Sequence, residues 1–270
     1  MIDTVLLCPP KYYQIEYEIN PWMNVNRRVD KSRAQEQFEN LVEIYNKLGL
    51  KVEMIEAEAG LPDMTYAANH GFVIDDIFIK SNFRYPQRRK EAAAVEKYFL
   101  KKNFKVKKIP KNISFEGQGD LFYRGGKFFC GYGRRSDREA IPFIEKILGD
   151  DVIPIAVNDP YYYHLDTCFA PLGKGVVVIN PSSFSKEDVK KIKKNFKKVI
   201  ETDAKDNSVM CCNLVSADGA VVIGKGVSTK LKKDISALGW EVMEAPMDEF
   251  LKGGGSVKCL TLEYFKSREN

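Results

Sequence analysis

Apolar side chains recur at helical spacing in five segments of the chain, and a short β-rich run follows each segment within a few residues. A pair of short apolar runs precedes each helical segment. Examples are HGFVIDDIFIKS, DLFYRGGKFFCGYG and FAPLGKGVVVINP. The repeated unit is therefore predicted to be strand, strand, helix, strand. The predicted helices span residues 31–48, 87–102, 137–148, 185–196 and 226–238.

The spacing of these units indicates the fold class. Dividing 270 residues by five gives about 54 residues per unit, a period compatible with a propeller or another closed array. An open doubly wound sheet is the alternative, but it alternates single strands with helices, whereas hairpins between helices need antiparallel pairs. The pattern favours an α/β fold of ββαβ repeats with pseudo-fivefold symmetry, a five-bladed αβ propeller. We expect one catalytic domain over residues 1–270.

Composition and charge narrow the range of partners. The chain is 44% hydrophobic and 29% charged, which is enough apolar surface to build a core. Its net charge of +5 is interspersed along the sequence, so nucleic-acid binding is not expected. The lysine-rich stretch 186–198 has apolar residues at helical spacing, so its lysines are predicted to form a solvated helix face. No apolar run approaches the roughly 20 residues that cross a bilayer, so we expect a cytoplasmic protein with no membrane partner.

Six cysteines and two histidines limit the available metal and disulfide chemistry. The cysteines form no CxxC pair and two are adjacent, which suits neither a disulfide framework nor a zinc ribbon. Reduced thiols are expected. His70 and His164 are too few for a histidine-rich metal site, and neither a metal nor an organic cofactor is expected. The cysteines are Cys8, Cys130, Cys168, Cys211, Cys212 and Cys259.

The segment GGGSVKCLTL is a candidate nucleophile site. Three glycines permit a close approach of ligand and backbone, and they lead to Cys259 at the start of a predicted strand. The neighbouring Lys258 is expected to lower the pKa of the thiol and so to raise the thiolate fraction. A buried structural cysteine after a flexible loop is the alternative.

Two further segments carry candidate acids and bases. If the YHLDT segment is extended, His164 and Asp166 point to the same face, and an imidazole and a carboxylate then share one pocket. A structural histidine packed beside tyrosines is the alternative. The segment FEGQGD places Glu116 and Asp120 among glycines, either as a loop that holds a carboxylate against a cation or as a simple turn. His70, in the turn-like AANHGF, is expected to have no such partner and is interpreted as structural.

Taken together, these segments resemble the guanidino-group-modifying superfamily of arginine deiminases, dimethylarginine dimethylaminohydrolases and amidinotransferases. The motifs occur in order along nearly the whole chain: CPPKYYQIEYEINPWMN, YAANHGF, RR at 88–89, FEGQGD, GYGRRS, YHLDTCFAPL, CCN and GGGSVKCLTLE. The resemblance implies a five-bladed αβ propeller, in agreement with the repeat.

Within that superfamily the chain is similar to the arginine dihydrolase domain of cyanobacterial bifunctional enzymes, through INPWM, FEG-x-GD, YHLDTCF and KCLTL. Those enzymes convert arginine to ornithine, carbon dioxide and two ammonia. The sequence stops where that domain stops, so their ornithine-processing module is expected to be absent.

The resemblance implies a role for each matching residue. Cys259 in KCLTL is expected to be the nucleophile, His164 in YHLDTCF the general acid and base, and Glu116 in FEGQGD its carboxylate partner. Asp166 is expected to hold the guanidinium. The residues expected to bind the α-carboxylate and α-amino end of the substrate are Asn20, Arg88 and Arg135.

One departure from the deiminases affects the expected product. Their FTRD motif supplies a second carboxylate to the guanidinium, whereas this chain has Asn69 in YAAN, as the dihydrolases do. Two carboxylates match a guanidinium cation but repel the carbonyl oxygen of a neutral ureido group, while an amide offers both a donor and an acceptor. Asn69 is therefore expected to hold arginine and then citrulline for a second attack by Cys259.

The resulting prediction is a metal-independent arginine dihydrolase that acts on a small guanidino substrate. A deiminase or dimethylarginine hydrolase would stop at citrulline, and an amidinotransferase would pass the cysteine adduct to an amine. A propeller that binds a partner without catalysis is the alternative of a different class. Homo-oligomer formation stays open at this point.

Overall fold

The computed structural model describes residues 2–217 and 219–267, and it contains five units with the order strand, strand, helix, strand. The strands are β1 (Ile2–Leu7), β2 (Lys51–Met54), β3 (Gly71–Ile74), β4 (Ile77–Lys80), β5 (Lys105–Lys108), β6 (Leu121–Arg124), β7 (Lys127–Gly133), β8 (Val152–Val157), β9 (Phe169–Gly173), β10 (Val176–Ile179), β11 (Lys198–Glu201), β12 (Val215–Ala217), β13 (Ala220–Gly224), β14 (Glu241–Ala245) and β15 (Leu262–Phe265). The helices are α1 (Lys31–Lys47), α2 (Arg89–Lys101), α3 (Ile141–Leu148), α4 (Lys186–Asn195), α5 (Ala204–Asn207), α6 (Thr229–Ser236), α7 (Asp248–Leu251) and α8 (Val257–Leu260).

Every unit has the same strand pairing. An antiparallel hairpin supplies two strands, and the third strand returns through a helix to pair in parallel with the second, as β6, β7 and β8 do around α3. In the first unit the hairpin partners are β15 and β1, from the two ends of the chain. The predicted α/β class and the ββαβ repeat are confirmed.

Four sheets result from this pairing. Three units form separate three-stranded sheets, while β15 pairs in parallel with β3 and joins the other two units into a sheet of order β2-β1-β15-β3-β4-β5. Hydrogen bonds among the described strands do not link all five units into a ring. Neighbouring blades of a propeller contact one another through side chains, so strand pairing does not test the predicted closure, which stays a prediction.

The five long helices lie where the hydrophobic pattern predicts them, but α2, α3 and α6 begin two to four residues later. The 3₁₀ turns Pro86–Arg88 and Arg138–Ala140 precede α2 and α3, so the α-helical hydrogen bonds start at the end of each predicted segment's first turn. The helices α1, α4 and α6 begin after side-chain caps. The capping residues are Asp30, Ser185 and Ser228.

The segments that matter for function occupy equivalent places in the five units. Each is a short turn directly before the first strand of its hairpin, so the repeat itself delivers five turns to one region, where turns from different units contact one another. These turns contain residues 67–70, 117–119, 165–167, 211–214 and 257–260. Within residues 2–217 and 219–267, no helix combines the length and apolar character needed to cross a membrane.

Candidate active site

Cys259 lies in α8 with its thiol buried between two polar side chains. Its Sγ is 3.3 Å from Oδ2 of Asp166 and 3.1 Å from Nδ2 of Asn213. The Oδ1 atom of Asn213 accepts hydrogen bonds from the backbone N–H groups of Cys259 and Ser256, at 3.0 and 2.9 Å. The Asn213 amide therefore fixes the turn and the sulfur together. Cys259 and Asp166, which come from different units, are thus in direct contact.

His164 and Glu116 form a buried pair in the same region. His164 Nε2 lies 2.8 Å from Glu116 Oε2, and Arg135 Nη1 donates to the same oxygen at 3.1 Å. Burial alone would raise the pKa of Glu116, but the Arg135 guanidinium and the His164 hydrogen bond outweigh it and hold that pKa well below its usual range. Because Glu116 is then a carboxylate, neutral His164 carries its proton on Nε2 and presents an unprotonated Nδ1.

Polar atoms without a protein partner concentrate here. Buried N or O atoms that make no hydrogen bond in the described part of the chain include Nδ2 of Asn69, Nδ1 of His164, Oδ1 of Asp166 and Oγ of Ser256. Burying an unsatisfied polar group costs about 1–3 kcal/mol, so such groups are retained where they have another use. The Asn69 donor and the His164 and Asp166 acceptors are therefore the groups of this region that are left to bind a polar ligand.

Gly119 allows these groups to come together. A Cβ atom at this position would lie 2.6 Å from Asn69 Nδ2 and 3.1 Å from His164 Cγ, closer than side chains tolerate. The glycine of FEGQGD therefore lets the turns before β3, β6 and β9 pack side by side. This is the close backbone approach for which glycine is suited.

Arg88 fixes the orientation of the Asn69 amide. Its Nη1 atom donates to Asn69 Oδ1 at 2.8 Å, and its other nitrogens donate to the Glu91 carboxylate and the Asp63 carbonyl. A guanidinium has only donors, so the amide oxygen faces Arg88, and the NH₂ group lies beside Gly119, next to the His164 ring. The expected contact between Arg88 and a substrate α-carboxylate stays a prediction.

His70 corrects the sequence interpretation. We predicted that it lacks an acidic partner, yet its Nε2 lies 3.0 Å from Glu91 Oε2, and both side chains are buried. Glu91 is in α2, 21 residues after His70, so no local pattern could indicate the pair. His70 is a structural residue, as predicted, but it is anchored by the carboxylate that also holds Arg88.

Arg135 and Asn20 lie around the Gly-rich loop and the His164–Glu116 pair. The Arg135 guanidinium lies between the rings of Tyr85 and Tyr163, at 4.7 and 4.5 Å from their centroids, and it also donates to the Ile19 carbonyl at 2.9 Å. Asn20 Nδ2 donates to the carbonyl of Gly253 in the glycine-rich loop at 3.1 Å. Both residues thus connect the segment around residue 20 to the buried cluster.

The expectation that Lys258 activates Cys259 is wrong. The Lys258 ammonium binds Gln118 and Glu263 and makes no contact with the thiol. Burial and the Asp166 carboxylate raise the pKa of Cys259 well above its usual value, so the sulfur is a thiol in the free protein. A cation brought beside Asp166 and Cys259 would favour the thiolate.

Asn213 is a site residue that the sequence interpretation missed. The only signal was the CCN motif, because an asparagine after two apolar cysteines has no chemistry of its own until the fold sets it against Cys259. No group of three or more histidine, cysteine, aspartate or glutamate side chains suited to holding a metal ion occurs in the described ranges 2–217 and 219–267.

The five ββαβ units carry a buried cysteine beside a carboxylate and a buried histidine–glutamate pair. This combination defines a class of guanidino-modifying proteins. The family model for N,N dimethylarginine dimethylhydrolase, eukaryotic, matches residues 13–266, and the chain belongs to this family. The N(G),N(G)-dimethylarginine dimethylaminohydrolase of Mycobacterium tuberculosis is 37% identical over 95% of this chain and 84% of its own length. The resemblance inferred from the motifs is confirmed.

Cyanobacterial relatives are similarly close. The bifunctional arginine dihydrolase/ornithine cyclodeaminase of Nostoc sp. is 35% identical over 95% of this chain, which spans only 37% of that relative's length. The substrate-bound crystal structure of the amino-terminal domain of a cyanobacterial arginine dihydrolase superposes with a TM-score of 0.93 and 32% identity, over 97% of this chain and 98% of that one. A dimethylarginine dimethylaminohydrolase adduct structure, at 19% identity and a TM-score of 0.80, shows the same fold.

Proposed function

We propose that the chain is a cysteine-dependent arginine dihydrolase, which converts arginine and two water molecules to ornithine, carbon dioxide and two ammonia. The observation that carries this proposal is the amide of Asn69, whose oxygen is held by Arg88 so that its NH₂ group lies beside Gly119, next to the His164 ring. The cyanobacterial dihydrolases named above support the same activity.

We assign Asp166 and Cys259 to the first chemical step. The Asp166 carboxylate binds the substrate guanidinium, whose positive charge offsets the charge that keeps Cys259 protonated. The thiol proton passes to the unprotonated Nδ1 of His164, and the sulfur adds to the guanidinium carbon. Protonated His164 then gives its proton to the departing ammonia, which leaves a thiouronium adduct on Cys259.

Water completes the first cycle and the ureido group begins the second. His164 removes a proton from water, water attacks the adduct carbon, and the carbon–sulfur bond breaks to give citrulline. A second attack by Cys259 on the ureido carbon expels the second ammonia and leaves a thiocarbamate. Its hydrolysis releases the carbamate of ornithine, which loses carbon dioxide. Throughout the cycle Glu116 holds His164 in place and stabilises its protonated form.

Asn69 distinguishes the second cycle from the first. The amide oxygen is occupied by Arg88, so this residue offers substrate a donor and not the mixed donor and acceptor we expected. A neutral N–H donor tolerates a guanidinium and makes a hydrogen bond with a ureido carbonyl oxygen. A carboxylate at the same place would repel that oxygen, so the amide retains citrulline for the second attack.

The remaining assignments are part of the same proposal. Arg135 and Asn20, with Arg88, bind the α-carboxylate and α-amino end of arginine. The five units close into a five-bladed propeller, and residues 1–270 act as one catalytic domain in the cytoplasm. Six cysteines without a disulfide support a reducing compartment.

A hydrolase that stops at citrulline is the second candidate, because the family model and the mycobacterial relative both carry dimethylarginine hydrolase names. Product counting separates the two. We expect purified protein to release two ammonia per ornithine from arginine, and to accept citrulline as a substrate, with the same yield in EDTA. One ammonia per citrulline, or turnover of dimethylarginine in preference to arginine, would favour the second candidate.

A further inference from the structure

Lys258 directly precedes the proposed nucleophile, and it carries a buried charge that the proposed chemistry does not use. Its side chain is 1% exposed. Its ammonium donates to Gln118 Oε1 at 2.7 Å and to one oxygen of the Glu263 carboxylate, whose other oxygen accepts from Arg124 at 3.0 Å. Lysine is rarely buried so completely, and a buried ion pair is weak evidence for a purely stabilising role.

Gln118 connects this charge to the rest of the site. Its side-chain amide makes two hydrogen bonds with the backbone of Glu263, at 2.6 and 2.9 Å, in addition to the contact with Lys258. Gln118 stands two residues after Glu116 and one residue before the glycine that packs against His164. A shift of Gln118 would therefore move the Glu116 carboxylate. The His164 imidazole, which is hydrogen-bonded to that carboxylate, would move with it.

We propose that Lys258 is a positioning residue, which ties the turn that carries Cys259 to the loop that carries Glu116. Gln118 supplies the contact between them. The inference rests on the proposed function and deepens it. It names a residue, Lys258, that makes no contact with substrate but on which the geometry and the charge of the site depend.

Asp166 provides an electrostatic readout of this role. Burial raises the pKa of Asp166 to about 7, and the positive charge of Lys258 opposes that rise. The Cys259 thiol and the Asn213 amide favour the carboxylate through hydrogen bonds. The titratable groups that interact with Asp166 are Lys258, Cys259, Tyr163 and Cys168. Asp120 accepts a hydrogen bond from the backbone N–H of the neighbouring Leu165, and His164 stands two residues before Asp166.

The first test is the pH profile of Lys258→Met. Asp166 binds a guanidinium only as a carboxylate, so kcat/KM falls as the pH drops through the pKa of this residue in the free enzyme. Without the Lys258 charge that pKa rises further. We expect the acid limb of kcat/KM to move about one pH unit upward, with about a fivefold loss at pH 7 and about a tenfold loss at pH 6. Lys258→Arg, which keeps the charge, should restore the limb toward its original position.

Lys232→Met is the matched control, because Lys232 forms a surface ion pair with Glu244. It should leave the acid limb where it is. If Lys258→Met lowers the melting temperature and leaves the limb unchanged, Lys258 is structural and the inference is overturned. Should this variant fail to fold because Glu263 loses one of its two cationic partners, Lys258→Met with Glu263→Gln removes both charges of the pair and is expected to show the same shift.

A second test does not depend on turnover. The folded-state pKa of Asp166 lies above its unfolded value of about 3.9, so this group makes the protein less stable as the pH rises from about 4 to about 7. Asp166→Asn should therefore raise the urea midpoint at about pH 8.5. We expect a larger increase in the Lys258→Met background than in the wild-type background. Equal increases of the urea midpoint in the two backgrounds would overturn the coupling between Lys258 and Asp166. If the increases are unequal but the wild-type protein does not act on arginine, only the proposed function is refuted.

Discussion

Replacing Cys259 by serine is expected to lower kcat for arginine at least about 10⁴-fold while the protein stays folded. The guanidinium carbon is a poor electrophile because its charge is delocalised. A serine hydroxyl is a much weaker acid than a thiol, so it stays protonated beside Asp166. The buried thiol becomes a thiolate once a cation binds beside Asp166, and the thiolate is the stronger nucleophile. Removal of a covalent nucleophile costs several orders of magnitude in kcat.

Steady-state release of ammonia from arginine measures this loss. Cys8→Ser is the matched control, because Cys8 is also a fully buried free thiol but contacts the Pro9 carbonyl, outside the site. The control should retain turnover. If the Cys259→Ser variant keeps more than a tenth of the wild-type kcat, the sulfur is not the nucleophile.

The change Asn69→Asp is expected to make citrulline the main product from arginine. The new carboxylate would still match the guanidinium, and it could pair with Arg88 in place of the amide. It would present an acceptor to the ureido oxygen where the amide presents a donor. Losing one hydrogen bond and adding a repulsion corresponds to about 2–3 kcal/mol, so the second cleavage should slow by about 30-fold to 150-fold.

The ratio of citrulline to ornithine at early times measures this change. Asn40→Asp makes the same chemical replacement in helix α1, away from the site, and should leave the ratio unaltered. If Asn69→Asp gives the wild-type ratio, the amide does not determine the second cleavage. If it abolishes the first cleavage as well, Asn69 acts on both substrates alike.

The sequence predicted the repeat well because each ββαβ unit carries its own hydrophobic periods. It placed the starts of α2 and α3 too early, since the 3₁₀ turns before them have the same apolar spacing as a first helical turn. The error on Lys258 has a different cause. Neighbours in sequence need not share surroundings, and this ammonium has partners 140 residues away, at Gln118.

The convergence of the site was beyond local patterns. Asn213 meets Cys259 across 46 residues, and His164 meets Glu116 across 48. These contacts arise because equivalent turns of different units come together, which the repeat predicts in outline only. The polarity of the Asn69 amide depends on Arg88, so it could be determined only from the side-chain contacts of the folded chain.

The central claim is that the sulfur of Cys259 forms a covalent bond with the guanidino carbon. Mass spectrometry of wild-type protein, mixed with isotopically labelled arginine and quenched in acid within the first turnover, tests it most directly. We predict that the peptide containing Cys259 gains the mass of arginine less one ammonia and carries the labelled carbon. Turnover at the full rate with no label on Cys259, or with the label on another side chain, would contradict the account.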